Sequence, residues 1–209
     1  MNRPALAAIL TALCAPAQAQ GLLPERRSGP PSSTEPAPIV ISQPVPPNLI
    51  VTDEAGVRRT LLSYQAPTEI LAVVFLSSRC PSQPSDWTAL RRFYKMYGSW
   101  QVSFVAVEAD ARERPAALAG ALRKAGLRWP VVENDGGWVS RVLGIQVAPE
   151  IALIDESQDL RYRGPLGSPA RLKGFQPAQG AWQALSALIG HVDSVADPQP
   201  DPGPGCLAR

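Results

Sequence analysis

Histidine, cysteine and long hydrophobic runs are all scarce in this chain. A single histidine, His191, stands among 209 residues. A Cys–His catalytic pair would need it to fold back, whereas a cation after a last helix is mundane. There are three cysteines, Cys14, Cys80 and Cys206. Cys14 falls in an N-terminal leader, and the two that remain are too few for a disulfide-stapled scaffold. They are also too widely spaced for a zinc ribbon, so no metal is expected. Lys plus Arg number 20 against 18 Asp plus Glu, and there is no basic tract. Nothing in that balance points to nucleic acid. The apolar run at 5–13 is too short to span a bilayer, and no other segment is a candidate span.

Proline is abundant instead, with 23 residues, twelve of them within 24–47 and 198–204. Four regions follow. Residues 1–19 read as a secretory signal peptide: Arg3 gives a positive start, 5–13 an apolar middle, and Ala17-Gln18-Ala19 a cleavage site. That predicts a mature start at Gln20 and export to a periplasmic or extracellular, oxidising compartment. Cys14 invites a lipoprotein reading, which the bulky Leu13 before it weighs against. Residues 20–47 read as a solvated, Pro-rich linker. Residues 48–191 carry one core, and 192–209 form a Pro-rich tail containing Cys206.

Within 48–191, strands at 49–52 and 57–64 flank a turn and predict a hairpin. The run Leu71-Ala-Val-Val-Phe-Leu76 reads as a strand buried on both faces. Ser77-Ser78-Arg79 break it, Cys80 follows, and Pro81 and Pro84 suit the first turn of a helix. Trp87, Leu90, Tyr94 and Tyr97 give that helix an apolar stripe. Further on come a strand at 101–109, a helix from Pro115 ended by Gly126, a short strand at 131–132 and a short helix at 138–143. Strands at 151–154 and 160–163 and a last helix opened by Pro177 complete the domain. The five tryptophans, Trp87, Trp100, Trp129, Trp138 and Trp182, read as core. This order predicts an α/β fold with a mostly parallel sheet and antiparallel members. Cys80 falls where a buried strand becomes a helix N-terminus, a place that favours a thiolate, with Arg79 beside it. The bland alternative is a small buried core cysteine.

The stretch L-A-V-V-F-L-S-S-R-C-P-S-Q-P-S-D-W, 71–87, resembles the active-site strand–Cys–helix of the thioredoxin-like redoxins. These are the alkyl hydroperoxide reductase/thiol-specific antioxidant and TlpA-like group, and the resemblance covers about 49–190. It implies a thioredoxin-like fold: a central mixed sheet flanked by helices, with an N-terminal β-hairpin. Gln83 stands where a C-x-x-C motif has its second cysteine, so no local dithiol can form. In Val147-Ala148-Pro149-Glu150 the resemblance implies a cis-proline at Pro149 facing Cys80. Ala148 and Pro149 then line a substrate groove, with Arg79 and Pro81 flanking the cysteine. Asp86 falls where some relatives carry a proton-transferring carboxylate, although the spacing equally fits a solvated residue in a first helical turn. Val74 stands in place of the buried acid of thioredoxin. Copper-handling relatives need two cysteines and a histidine together, which Gln83 denies.

These readings converge on an exported thiol-disulfide oxidoreductase-like protein in which Cys80 forms a mixed disulfide with protein or small thiols. No cofactor is expected, because sulfur carries the electrons. The tail from 192 to 206 can span roughly 40 Å at about 3 Å per residue, enough to reach Cys80. Cys206 is then a resolving cysteine, half of a permanent staple, or a thiol that joins two chains. Two other functions stay open. One is an antioxidant-type thiol peroxidase acting on peroxide. Against it, peroxiredoxins carry arginine where Pro149 falls, and proline and threonine where Val73 and Ser77 stand. The other is a non-catalytic binding module.

Overall fold

The structure is a computed structural model that describes residues 37–67, 69–79, 84–98, 101–167, 179–190 and 206–207, with backbone only at 84–86 and 206–207. Every described residue belongs to one compact unit, Pro36–Arg209. The expected leader lies outside the described residues, as do Trp100, Pro177, His191 and the tail prolines.

In chain order the elements are β1 (Ile50–Thr52), β2 (Arg58–Thr60), β3 (Ile70–Leu76), α1 (Pro84–Tyr97), β4 (Val102–Glu108), α2 (Pro115–Lys124) and β5 (Val131–Glu133). Then follow α3 (Trp138–Leu143), β6 (Val147–Ala148), β7 (Glu150–Ile154), β8 (Leu160–Gly164), α4 (Ala181–Ile189) and β9 (Cys206–Leu207). The central sheet has the order β5-β4-β3-β7-β8. β3, β4 and β5 are mutually parallel, and β7 pairs antiparallel with both β3 and β8. The sheet is therefore mixed, with β7 alone running against the other four strands.

β3 sits at the centre because it is apolar throughout. All its residues from Leu71 to Leu76 are buried, as a strand covered on both faces requires. Alternation sends Ala72, Val74 and Leu76 to one face, with the inward residues of α1, α2 and α4. Leu71, Val73 and Phe75 face the other way, towards α3 and the β1–β2 hairpin. On α1 the buried residues are Leu90, Phe93 and Tyr97. Phe93 takes the inward place expected of Tyr94, which is 37% exposed. Tyr94 lies at the rim, edge-on to Phe104 and Trp129. α2 opens on Pro115, buries Leu118 and Leu122, and ends where Gly126 turns to φ 78°. Trp129 and Trp182 are core and Trp87 is partly buried against it, but Trp138 is 42% exposed. As the first residue of the short α3, Trp138 falls outside that helix's inward face, which Val139, Val142 and Leu143 supply.

Both edges of the central sheet are covered by the chain's own N-terminal part. Beside β8, Ser42 donates its N–H to the Leu160 carbonyl at 2.7 Å and Val45 to Gln158 at 2.9 Å, while Leu160 donates to Gln43 at 2.9 Å. Residues 39–47 were expected within the solvated linker, but from Ile39 onward the chain lies on the domain. Val45 is buried, and Ile39 and Ile41 pack on the α3-side core. The physical reason is that a turn at Ser42, where φ is 67°, lays the apolar Ile39, Ile41 and Val45 on the core while the backbone at 42–45 satisfies the open edge of β8. At the opposite edge Asp53 bridges to Val132, and Glu54 donates its N–H to Val131. In the hairpin, the second strand is shorter than expected. Leu61–Tyr64 curl into a 3-10 turn that buries Leu61 and Leu62.

Candidate functional site

The first wall of the site is the chain leaving β3. Glu108, the last residue of β4, stands opposite Leu76 and is fully buried. Its two carboxylate oxygens accept the Ser78 N–H, each at 3.2 Å, and Oε1 also accepts the Asp110 N–H at 3.2 Å. Burial pushes this carboxyl up, and hydrogen bonds from Ser78 and Asp110 pull it partly back. Ser77 is buried, and its Oγ accepts the Arg79 N–H at 3.3 Å. The Arg79 guanidinium turns towards the loop after β4, 3.8 Å from Asp110 and 3.4 Å from Glu113. With that side chain 59% exposed, solvent screens both contacts. Cys80 and Pro81 lie outside the described residues, between Arg79 and the start of α1 at Pro84. Asp86 lies near the start of α1, and its side chain is outside the described part.

The second wall is β6. The Ala148–Pro149 peptide bond is cis, as the resemblance implied. Ala148 is buried, and β6 packs against β3. Glu150 follows the proline, pairs opposite Phe75 and is buried. Its Oε2 accepts the N–H of Gln146 at 3.2 Å and of Val147 at 3.4 Å, pinning the approach to the proline. Burial raises this carboxyl as well, against the hydrogen bonds from Gln146 and Val147 and the Arg163 charge. By strand alternation Glu108 shares a face with Leu76, and Glu150 shares the opposite face with Phe75.

The third component is the tail. β9 pairs antiparallel with β6, setting Cys206 opposite Ala148 and Leu207 opposite Val147. Ala148, Pro149 and the Cys206 backbone are thus brought together. A buried polar cluster supports the floor: Asn134 donates to the Ala109 carbonyl at 3.3 Å and to Ser140 Oγ at 3.0 Å, and its own oxygen accepts the Ser140 N–H at 3.1 Å. This ties the end of β4 to α3.

The cis bond at Pro149 was anticipated, and the burial of Glu108 and Glu150 was not. Val74 left the place of a thioredoxin-type acid empty, yet carboxylates enter from the two strands that flank β3. The available signal was a single acid in an otherwise apolar strand, V-A-V-E-A at 105–109 and E-I-A-L-I at 150–154. Among the described residues no group of three or more His, Cys, Asp or Glu is placed to hold a metal ion. No helix among them is long and apolar enough to cross a membrane.

No protein-family model matches the chain, and no curated protein matches it. Solved structures do. A hypothetical protein from Sinorhizobium meliloti 1021 is similar with a TM-score of 0.62 and 22% identity, over 81% of this chain and 94% of its own. An uncharacterized conserved protein from Geobacillus kaustophilus gives 0.60 and 21%, over 81% and 92%. A thiol-disulfide oxidoreductase from Bacteroides fragilis NCTC 9343 gives 0.52 and 19%, over 72% and 99%. With the mixed sheet, the hairpin and the cis-proline, these likenesses establish a thioredoxin-like fold.

Proposed function

We propose that this chain is a thiol–disulfide exchange protein in which Cys80 is the nucleophile and Cys206 resolves it. The observation that carries the reading is the seating of Cys206 opposite Ala148, beside a cis-proline, on a strand that itself packs against β3, the strand that leads to Cys80. In the proposed cycle the Cys80 thiolate attacks a partner disulfide, forming a mixed disulfide and expelling one partner thiolate. Cys206, as thiolate, then attacks the Cys80 sulfur. A Cys80–Cys206 bond forms and the second partner thiolate leaves. The partner gains two electrons, and protons from solvent complete its dithiol. An external dithiol returns the chain to its reduced state. Arg79 and Pro81 flank the nucleophile, Ala148 and Pro149 hold the partner backbone, and Asp86 is the candidate for proton transfer. Residues 1–19 direct the protein to an oxidising compartment.

The test is reaction with DTNB, an aromatic disulfide, on a Cys14→Ser background. The resolving reading expects release of a second thionitrobenzoate with no adduct left, because the internal disulfide has formed. Cys206→Ser should stop at one release and a stable adduct on Cys80. Two adducts on the otherwise unaltered chain would overturn the reading. An intact mass beginning at Gln20 in the producing cell checks export; a chain still beginning at Met1 would overturn that part.

A further inference from the structure

Arg163 joins parts of the chain that lie far apart in sequence. It stands on β8 opposite Ala152 of β7. Strand alternation sends it to the face that carries Ala152 and α3, while its neighbour Tyr162 enters the core on the other face. There its Nη1 donates to the Ile39 carbonyl at 2.9 Å and to the carbonyl of Leu143, the last residue of α3, at 3.4 Å. Ile39 in turn donates its N–H to the Val142 carbonyl at 2.9 Å. One partly buried guanidinium thus clasps the N-terminal segment to the end of α3, where a helix leaves carbonyls in need of donors. The seat is close. A Cβ on Gly144 would collide with Arg163 Nη1 and stand 3.3 Å from Pro38 Cβ.

The clasp sits at the root of the cis-proline wall. Gly144 leads through Ile145 to Gln146 and Val147, whose N–H groups Glu150 accepts. Because Ala152 is opposite Arg163, Glu150 is a diagonal neighbour of Arg163 on the same face, a separation that a long side chain bridges. The Arg163 charge favours the ionised Glu150, the stronger acceptor for both amides. Phe75 on β3 and the amides of Gln146 and Val147 face the same carboxylate and carry no charge.

We propose that Arg163 is a positioning residue for the cis-proline wall, and that the N-terminal segment at 39–45 acts through it as part of the site. The unit that shapes the site then includes Ile39, rather than beginning at 48. The proposal rests on the reading above for the use of this wall, but none of its contacts involves a thiol.

The experiment uses the full chain with Cys14→Ser, Cys80→Ser and Cys206→Ser, so its failure is separate from failure of the DTNB test. Hydrogen exchange is read at the Gln146 and Val147 amides and referred to the Val105 amide in β4. Arg163→Met keeps the stem without the charge. Ile39→Asp with Ile41→Asp lifts the N-terminal segment off the core and leaves Arg163 in place. Circular dichroism checks that each variant folds, and Ile41→Ser replaces the double variant if that one does not. Each should speed exchange at 146 and 147 at least about tenfold relative to Val105, as expected when hydrogen bonds to a charged group are loosened. Equal acceleration at all three amides means lost stability alone and overturns the positioning role, as does unchanged exchange in Arg163→Met. An effect of Arg163→Met without one from lifting the segment overturns the part assigned to 39–45. The pH profile tests the charge. Arg163→Lys should keep the parent's stability–pH curve. Arg163→Met should carry the loss of stability on raising pH to higher pH, because the Glu150 carboxyl then holds its proton further up. Superimposable curves for Arg163→Met and the parent overturn the charge role.

Discussion

Glu108 and Glu150 flank the same strand, are buried to a similar degree and are both raised by desolvation, yet they organise different halves of the site. Glu108 gathers backbone N–H groups from the segments leaving β3 and β4. Glu150 gathers them from the approach to the cis-proline. One carboxylate shapes the segment that leads to the proposed nucleophile, the other the side proposed to hold a partner backbone. A buried acid here acts as a local organiser of backbone amides, replacing water as their acceptor. That need not make it a proton donor to sulfur.

The comparison breaks most visibly if each acceptor is removed. Glu108→Ala and Glu150→Ala should each lower stability by about 1–3 kcal/mol in urea unfolding, because each leaves two N–H groups without an acceptor. Relief of the buried charge pulls the loss towards the lower figure. The two variants should then part company. Glu150→Ala should release the Ala148 amide to exchange well before global unfolding, and Glu108→Ala should leave that protection in place. Loss of protection in both would mean that the walls are one cooperative unit.

A gentler test uses pH. Both carboxyls lie above the ordinary 4.5 in the folded chain, so the folded state holds these protons more tightly than the unfolded state. Their stabilising contribution is full below 4.5 and is lost as pH rises through the raised folded values. The Glu108→Gln, Glu150→Gln double variant should therefore show a flatter stability–pH curve from mildly acidic to neutral pH. A slope unchanged from the parent would place the titration elsewhere. The smallest effect belongs to Arg79→Ala, which should alter stability by less than about 0.5 kcal/mol, a difference that vanishes in high salt. A larger, salt-resistant loss would mean that the Asp110 and Glu113 contacts hold the loop before Cys80.

The fold was legible where pattern alone decides position. The apolar run at 71–76 could only be an interior strand, and Gly126 and Pro115 bracketed α2 by their backbone preferences. Pro149 was legible through resemblance and order along the chain. What stayed hidden depended on tertiary contact. Phe93 and Tyr94 are adjacent aromatics, and only the position of α1 over the sheet decides which turns inward. Glu108, inside the strand expected at 101–109, and Glu150, just before the one expected at 151–154, give no sign of burial until neighbouring amides supply the reason. The tail prolines argued against regular structure, yet two residues beyond them suffice for a pairing, because a sheet edge templates its own neighbour.

The cap on β8 has a consequence for synthesis. Residues 42–45 leave the ribosome early, and their partners at 158–160 follow about 115 residues later, counting 160 − 45. At about 5–20 residues per second, residues 42–45 wait on the order of 6–23 s for the strand they cap. A segment that closes one edge of the sheet is thus among the first parts of the domain made, yet waits for one of the later strands.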